Sequence, residues 1–535
     1  MGFSDPTGDQ DLPTVLSKRV AHSPDKPWIV TDDGAYSYSD INTRAGRMAQ
    51  GFAEAGVTLG DTVLLMLPDT IDYICLWCAL SKIGAIEVPV NVHHRGSILA
   101  YLINDSQAQA MVVHVDYLAR IEAVASDLET LQRIYIVGGV GEAAGQTIDA
   151  DLELIDYREL LSGESEWEGA GPSYVDLMAV MYTSGTTGPS KGATITHAHA
   201  YQYALGVGHM LELCEDDVYY APLPLFHIAG QFALVYATCV VGATAVLPST
   251  FSAQRFWQDV RSYQATTTFL LGAMANFLHA QEPAGDDASN PLERVLMVPL
   301  IPETEEFKTR FDCRVSTTWG GTEMNCPTRT SFDLVDNRSC GHLVEDLYEV
   351  KIVDGNDSEL PPGVAGEALV RAKEPWIISN GYWNHADWTV KAWRNQWFHT
   401  GDMLMRDEAG NYYFVDRSKD AIRRRGENIS SMEVENEVNA HPDVLECAVI
   451  PIESAHTEQE VMAVVVAKPG IDIDPENLIR FLEPRMAYFM VPRYIDFVEE
   501  LPKTPTGKIQ KFPLREAGVT STTWDREVAG VKIQR

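Results

Sequence analysis

The feature that most constrains the fold is a regular alternation of segment types between about residues 60 and 320. Short apolar runs typical of buried strands alternate there with segments typical of helices. The predicted strands are Thr62–Leu67, Glu87–Asn91, Ala110–Val115, Arg133–Val137 and Leu177–Tyr182, and the predicted helices are 70–84, 197–213, 228–240 and 253–263. Buried strands that alternate with helices indicate a sheet covered on both faces. We therefore predict a large N-terminal α/β domain with mixed parallel sheets.

The pattern changes after about residue 416. Ser430 and Glu433 have the spacing of a capping box, so a helix should begin near residue 431. Strand-like segments at 444–450, 461–467 and 494–498 and a helix near 475–487 complete a small α+β unit. The short charged junction 414–420 lacks the composition of a flexible linker. We predict an N-terminal domain over 1–416 and a mobile C-terminal domain over 417–535, with a hinge near 417–420.

The overall charge excludes several classes of partner. The chain has 41 basic and 76 acidic residues in 535, which gives a formal net charge of −35. So acidic a surface argues against broad binding to nucleic acid or to anionic membranes. No apolar stretch is long enough to span a membrane, and the polar N-terminus does not look like a signal peptide. With eight scattered cysteines, these features predict a cytoplasmic protein with reduced thiols.

One loop indicates a phosphate-binding site. The segment Met181–Gly192 follows a predicted strand and contains three glycines, four hydroxyl side chains within five residues, and Lys191. Glycines let backbone N–H groups approach an anion, and the hydroxyls and the lysine add donors and charge. The Gly-Lys-Ser/Thr spacing of a Walker loop is absent. The alternative, a turn without function, fits this density of donors poorly.

This loop resembles the signature loop of the adenylate-forming enzymes, which include acyl-CoA synthetases, luciferase and peptide-synthetase adenylation domains. Six further segments match that family's motifs in the same order. They are Ala221–Gly230, Thr317–Glu323, Trp397–Asp402, Asp416–Asp420, Arg425–Ile429 and Leu501–Ile509. Within the family, 413–417 and 425–430 look most like the crotonobetaine/carnitine-CoA ligase subgroup. Seven ordered motifs are far more specific than a single glycine-rich loop.

The resemblance implies an ATP-dependent carboxylate–CoA ligase. A carboxylate attacks the α-phosphate of ATP and releases pyrophosphate, and the CoA thiol then displaces AMP to give a thioester. The substrates and cofactors implied are a carboxylic acid that is a small molecule, ATP, Mg²⁺ and CoA. The catalytic residues implied are Lys508, which would contact the carboxylate and the α-phosphate, Glu323 as the Mg²⁺ ligand, His227 at the acyl site, and Lys191.

The family motifs also imply binding roles for other residues. The implied nucleotide-binding residues are Thr183, Ser184, Gly185, Thr186, Thr187, Gly188, Trp319, Gly320, Thr322, Asp402, Phe414, Arg417, Gly426 and Glu427. Asp402 and Arg417 would contact the ribose, and Trp319 would stack on adenine or line the acyl pocket. Lys419 matches the hinge position. The implied acyl-pocket residues are Phe226, Gln231, Leu271, Gly272, Met274 and Met324.

Several alternatives stay open at the level of sequence. Arg423, Arg424 and Arg425 form the only dense basic run, either as a solvated face or as contacts to phosphates of CoA or ATP. The acyl group could pass to a carrier protein or another acceptor instead of CoA. A catalytically silent nucleotide-binding regulator is a further alternative, against which the presence of Lys508, Glu323 and Lys191 argues. The sequence does not determine the acid or the oligomeric state, for which a homodimer is one option.

Overall fold

The computed structural model describes residues 10–139, 152–183, 189–332, 334, 336–417, 421–454, 458–502, 509 and 511–534. The α-helices in this part of the chain are Leu12–His22, Tyr38–Glu54, Ile71–Ile83, Gly96–Asp105, Leu118–Glu122, His197–Met210, Ala237–Val241, Phe256–Tyr263, Gly272–His279, Thr304–Phe311, Ala386–Ala392, Ser431–Asn439, Pro475–Leu482 and Lys511–Ala517. A π-helix spans Ala229–Tyr236, and short 3₁₀ turns span Val115–Tyr117, Ala125–Asp127, Tyr157–Leu161 and Arg394–Gln396. None of the described helices combines the length and hydrophobicity that a membrane crossing requires.

Two mostly parallel sheets form the centre of the N-terminal region. In spatial order, the first contains Glu153–Asp156, Arg133–Val137, Ala110–His114, Thr62–Met66, Ile86–Pro89, Leu177–Thr183 and Lys191–Thr196. The second contains Arg314–Ser316, Arg294–Val298, Thr267–Leu271, Val218–Tyr220, Thr244–Val246, Pro27–Thr31 and Gly34–Ser37. In each sheet only the last pair of strands is antiparallel. The two sheets bury long apolar strands, as parallel sheets covered by helices do.

A third sheet, which is antiparallel, completes the N-terminal region. Its strands in spatial order are Thr318–Gly321, Asn325–Arg329, Ser339–Leu343, Asn411–Arg417, Phe398–Arg406, Gly366–Ala372 and Tyr348–Val353. One cluster of buried side chains links helices 12–22, 38–54, 71–83 and 197–210 with both parallel sheets. This arrangement confirms the predicted α/β class with mixed parallel sheets.

The C-terminal region has its own sheet and its own core. A ribbon pairs Ala421–Arg424 with Glu427–Ser430, and a second sheet contains Val444–Glu453, Gln459–Ala467, Tyr494–Phe497 and Trp524–Asp525. Ser430 caps the helix that begins at Ser431, as predicted, by accepting the N–H of Glu433 at 3.4 Å. The helix predicted over 475–487 ends earlier, at Leu482. The small α+β class of this region is confirmed, whereas the domain boundary near residue 417 stays a prediction.

The C-terminal region contacts the N-terminal region through a few defined residues. The Glu433 carboxylate accepts the backbone N–H of Ser190 at 2.8 Å, next to Lys191. Glu437 accepts from the Ser97 hydroxyl and pairs with Arg485 at 2.7 Å. These contacts bring the ribbon 421–430 towards the edge where the strands 177–183, 267–271 and 318–321 end.

Candidate active site

The ribbon of the C-terminal region and loops of all three N-terminal sheets enclose a cavity of about 460 Å³. Thr183 and Lys191, which flank the predicted phosphate loop, line this cavity together with Glu323, Asp402 and Glu427. The structure therefore brings together five of the predicted site residues, which span 244 positions in the chain from Thr183 to Glu427. The cavity also gathers basic side chains, at Lys191, Lys391, Arg394, Arg423 and Arg425, in a chain of strongly negative charge.

Glu323 has two hydroxyl partners. Its Oε1 accepts from the Thr183 hydroxyl at 3.2 Å and from the Tyr382 hydroxyl at 3.1 Å. The Lys191 ammonium lies 5.0 Å from the centre of the Tyr382 ring and 5.7 Å from that of Trp388, within range of a cation–π interaction. A carboxylate, two hydroxyls and a lysine thus surround the point where the phosphate loop begins and ends.

Asp402 is oriented by a tryptophan. The Trp319 indole N–H donates to Asp402 Oδ2 at 2.9 Å, and the Asp402 backbone N–H donates to the Thr400 hydroxyl at 3.1 Å. Arg417 is the register partner of Asp402 in the neighbouring antiparallel strand. A carboxylate held in this way can accept both hydroxyls of a sugar.

His227 borders the cavity at the start of the π-helix. Its Nδ1 accepts the Ala229 N–H at 3.2 Å, so the neutral ring carries its proton on Nε2. The His227 side chain is exposed to the open cavity, but the many protein atoms around it limit its hydration, and this desolvation, with a smaller contribution from the Arg423 guanidinium, lowers the pKa of His227. The preceding turn is anchored by Asp69, whose Oδ1 accepts the Leu225 N–H at 2.8 Å. His227 therefore offers a neutral hydrogen-bond donor to the cavity.

The basic run 423–425 divides between two roles. Arg424 is buried, pairs with Glu460 at 2.6 Å, and donates to the carbonyls of Phe489 and Val491. Arg423 and Arg425 instead line the cavity. The central arginine therefore stabilises the C-terminal fold, and its two neighbours face the cavity.

Most, but not all, predicted pocket residues line the cavity. Gly320, Thr322 and Gly426 line it, as do the apolar side chains of Phe226, Leu271, Met274 and Met324. Gly426 has φ of +85°, and a Cβ added there would lie 2.3 Å from Leu271 Cδ1. The ribbon of the C-terminal region therefore reaches Leu271 of the N-terminal region directly, one of the residues predicted for the acyl pocket.

Four residues that were predicted to bind the nucleotide or to line the acyl pocket do not line the cavity, and this corrects the expectation for them. Gln231 is fully buried and its amide donates to Glu87 Oε2 at 2.6 Å, because the π-helix turns it towards the first sheet. Gly272 is buried behind the cavity wall, next to Pro299. Trp319 packs in the core of the third sheet and reaches the site only through Asp402. The ring of Phe414 is about half exposed and does not line the cavity.

Three further predictions fall on parts of the chain outside the described residues. They concern Ser184, Gly185, Thr186, Thr187 and Gly188 of the phosphate loop, the hinge residue Lys419, and Lys508. The side chain of Arg417 is also outside the described part, although its backbone is placed. The roles predicted for these residues stay predictions.

Several cavity residues were not predicted from the sequence. Tyr382, Trp388 and Lys391 reach the site from the segment around the helix Ala386–Ala392, and Tyr203 and Cys326 lie at its apolar end. Only Cys326, two residues after Met324, lies close in the chain to a predicted site residue, whereas the other four come near the site through the fold. Tyr382, for instance, is 59 residues beyond its partner Glu323.

Comparison with known proteins places the chain in a family. The family model described as AMP-binding enzyme matches residues 16–383, and that of the AMP-binding enzyme C-terminal domain matches residues 433–508. This chain belongs to the AMP-binding enzyme family. The resemblance inferred from the seven motifs is thereby confirmed.

Individual members of the AMP-binding enzyme family extend this match. A crotonobetaine/carnitine–CoA ligase of Salmonella arizonae is 32% identical over 494 residues, which covers 90% of this chain and 93% of that protein. The structure of o-succinylbenzoate CoA synthetase from Bacillus subtilis aligns with a TM-score of 0.80 at 22% identity, over 94% of this chain and 98% of that one. ATP-bound MatB from Rhodopseudomonas palustris aligns with a TM-score of 0.67 at 25% identity, over 94% and 98%. The AMP-binding fold therefore extends over nearly the whole chain.

Proposed function

We propose that this protein is an AMP-forming acid–CoA ligase that activates a small carboxylic acid with ATP and then transfers the acyl group to CoA. The observation that carries the proposal is the cavity itself. One part is lined by acids, bases and hydroxyls from the family motifs, an adjoining part is apolar, and a ribbon of the C-terminal region borders both. The family membership and the names of the relatives support the same activity.

The polar part of the cavity suits the AMP portion of ATP. Asp402 would accept the ribose hydroxyls, with Arg417 on the neighbouring strand as a second contact. Gly320 has no room for a side chain, since a Cβ would lie 2.1 Å from the Asn325 carbonyl oxygen. Gly320 and Thr322 line the cavity, so the backbone of Gly320 would offer a wall without a side chain against which a flat base can lie.

The first step joins two anions, so positive charge must surround the reacting oxygens. Lys191, Lys391 and Arg423 line the cavity and would attract the phosphates of ATP. Lys508 would bring a further charge to the carboxylate and the α-phosphate, as the family motif implies. The neutral His227 would donate its Nε2–H to the carboxylate of the acid without adding a charge that competes with the phosphates.

Glu323 would hold Mg²⁺. Its carboxylate lies at the cavity wall beside Thr183, a donor set that fits a cation bound mostly by phosphate oxygens and water. No group of three His, Cys, Asp or Glu side chains in the described part of the chain forms a complete metal site. Glu323 would thereby place the positive charge of Mg²⁺ close to the phosphates of ATP.

The second step would use the arrangement seen here. The Arg423–Glu427 segment borders the cavity, whereas Leu501 and Ile509, which flank the segment of Lys508, pack on the opposite side of the C-terminal sheet from Ile98 of the N-terminal region. We therefore infer that the C-terminal region must turn between the two steps. A hinge at Lys419 would bring Lys508 to the cavity for adenylation and the Gly426 segment there for thioester formation.

Product analysis tests the proposal. Pyrophosphate release should require ATP and a carboxylic acid, whereas AMP release and thioester formation should also require CoA. Acyl transfer to a carrier protein but not to CoA would favour the alternative acceptor, and nucleotide binding without pyrophosphate release from any acid would favour a silent regulator. Glu323→Gln should raise the Mg²⁺ concentration needed for half-maximal adenylation, while the matched change Glu345→Gln at an exposed position should not.

A further inference from the structure

The strand that begins at Lys191 is paired along both edges. On one edge it pairs with the strand Leu177–Thr183, where Thr183 lies opposite Lys191. On the other edge the Trp383 N–H donates to the Gly192 carbonyl at 2.7 Å. The position of Lys191 therefore depends on two flanking segments, one just before the phosphate loop and one far away in the sequence.

One carboxylate is hydrogen-bonded to side chains from both flanking segments. It belongs to Asp105, the last residue of its helix, whose side chain is only 9% exposed. Asp105 Oδ2 accepts from the Tyr182 hydroxyl at 2.6 Å, and Oδ1 accepts from the Nε2–H of His385 at 2.9 Å. The Asn384 amide adds a third bond, to the Asp105 carbonyl at 2.7 Å. Asp105 thus links the strand before the phosphate loop to the segment that leads into the helix Ala386–Ala392.

His385 in turn restrains Trp388. The two residues are three positions apart at the start of the helix Ala386–Ala392, a spacing that places their side chains on one face. Their rings stack with 3.5 Å between the ring centres and an angle of 9° between the planes. Because Asp105 holds the edge of the His385 ring, the indole stacked on its face is held in one orientation as well.

Trp388 forms part of an aromatic platform for the Lys191 ammonium. Trp388 and Tyr382 both line the cavity, and Lys191 Nζ lies 5.7 Å and 5.0 Å, respectively, from the centres of their rings. Both distances are within range of a cation–π interaction. A lysine side chain has many rotamers, and restricting them at the moment of binding lowers the affinity for a ligand. A platform that orders Lys191 before ATP arrives removes that cost.

We propose that Asp105 and His385 are positioning residues for adenylation. Asp105 orients the ring of His385, and His385 orients the indole of Trp388. The indole then holds the Lys191 ammonium where the phosphates of ATP arrive. Neither Asp105 nor His385 lines the cavity, so both act through other residues. The inference rests on the proposed function, in which Lys191 attracts those phosphates.

The variant His385→Ala tests the proposal. We expect two constants to rise roughly three- to tenfold, because the cation–π contact and the ordering of its lysine are weakened. One is the dissociation constant of ATP in the presence of Mg²⁺, measured by calorimetry, and the other is KM for ATP in pyrophosphate release. The value of kcat should change by less than about twofold, since the lysine reaches the same bound position in both proteins.

The matched control is His279→Ala. His279 is also ion-paired, with Glu306 at 3.6 Å, and its side chain is 22% exposed, against 24% for His385. It does not line the cavity. Both constants should therefore stay within about twofold of wild type in this control.

A double-mutant cycle tests the route through Trp388. Trp388→Ala should raise the same two constants, and adding His385→Ala to it should change them by less than about twofold. Losses that multiply would show that His385 acts by another route and would overturn the proposal.

Two changes at Asp105 test the first link. Asp105→Asn should keep most of the affinity for ATP, because its amide can still bond both Tyr182 and His385. Asp105→Ala should weaken ATP binding as much as His385→Ala does, and His385→Ala decides the question should the aspartate variant fail to fold. ATP affinity in folded Asp105→Ala equal to that of wild type would overturn the role of Asp105.

The calorimetric measurement needs no carboxylic acid, so it separates this inference from the proposed function. Unchanged ATP affinity in folded His385→Ala would overturn the inference and leave the ligase proposal standing. Wild-type protein that binds ATP but releases pyrophosphate with no acid would instead contradict the ligase proposal, and the role in adenylation with it.

Discussion

Replacing Gly426 with alanine should separate the two half-reactions. In the present arrangement the alanine Cβ would lie 2.3 Å from Leu271 Cδ1, where ordinary contacts are about 3.5–4 Å. The leucine or the ribbon would therefore have to move by more than about 1 Å. Overpacking of this kind typically costs about 1–3 kcal/mol. Thioester formation from pre-made acyl-AMP should thus fall by roughly 10- to 100-fold, because each 1.4 kcal/mol is tenfold in rate.

The same substitution also strains the backbone, and a control separates the two effects. Gly426 has φ of +85°, where a non-glycine residue costs about 1–2 kcal/mol. Gly470 has φ of +79° in the same region and no atom within 4 Å of an added Cβ. Gly470→Ala therefore carries the backbone strain without the contact, and we expect both half-reactions to stay within about threefold of wild type.

The assay measures pyrophosphate release and thioester formation on the same folded preparations. In Gly426→Ala, adenylation should change little, since we place the ribbon against Leu271 only in the second step. Adding Leu271→Ala should restore most of the lost thioester rate, compared with the Leu271→Ala single variant as background. Equal losses in both half-reactions, or no relief by the leucine change, would refute the assignment of this arrangement to thioester formation.

Three further predictions remain, of which two rest on the family motifs and one on the burial of Glu87. Lys508→Ala should abolish most acyl-AMP formation but spare thioester formation from pre-made acyl-AMP; a wild-type adenylation rate would show the assignment to be wrong. Lys419→Pro fixes φ near −65° and should cut thioester formation at least roughly tenfold while adenylation continues, whereas equal losses would argue against a hinge there. Burial raises the pKa of Glu87 to about 7, so the folded state binds more protons than the unfolded state between pH 4.5 and 7, and stability falls as pH rises through this window. Glu87→Gln keeps a hydrogen-bonding partner for Tyr73 and Gln231 but does not titrate. In denaturant titrations, its stability relative to wild type should therefore rise by about 3 kcal/mol between pH 5 and 8. Parallel stability–pH profiles of the two proteins would count against this prediction.

The sequence predicted the strand–helix order well because that order depends on local hydrophobic periodicity. The strands at Ala110–His114 and Arg133–Val137 and the helix start at Ser431 lie where the pattern places them. The family motifs likewise predicted that Glu323 and Asp402 would meet at one cavity. In both cases each prediction rests on a short segment of the chain, either an apolar run or a single family motif.

The errors and omissions concern side-chain direction and long-range contacts. Gln231 is four residues beyond His227, a spacing that in an α-helix would place both side chains on one face. The π-helix that begins at Ala229 changes that angle, and Gln231 turns to the buried carboxylate of Glu87. Tyr203 and Cys326 meet only because a helix of one segment crosses a strand of another, and no spacing rule reports such a crossing.

The hydrophobic core of the C-terminal region is built almost entirely from its own residues, and this favours a C-terminal region that turns as a unit. Glu433 meets Ser190, and Glu437 meets Ser97, through hydrogen bonds that water can replace at a net cost of about 1 kcal/mol each. Ile98 is the N-terminal residue that joins the apolar cluster of the C-terminal region, whose other members come from within that region. Separation of the two regions would thus remove Ile98 from this cluster and leave the rest of it intact. Because Ser190 adjoins Lys191, the same movement would free the end of the phosphate loop when the region turns.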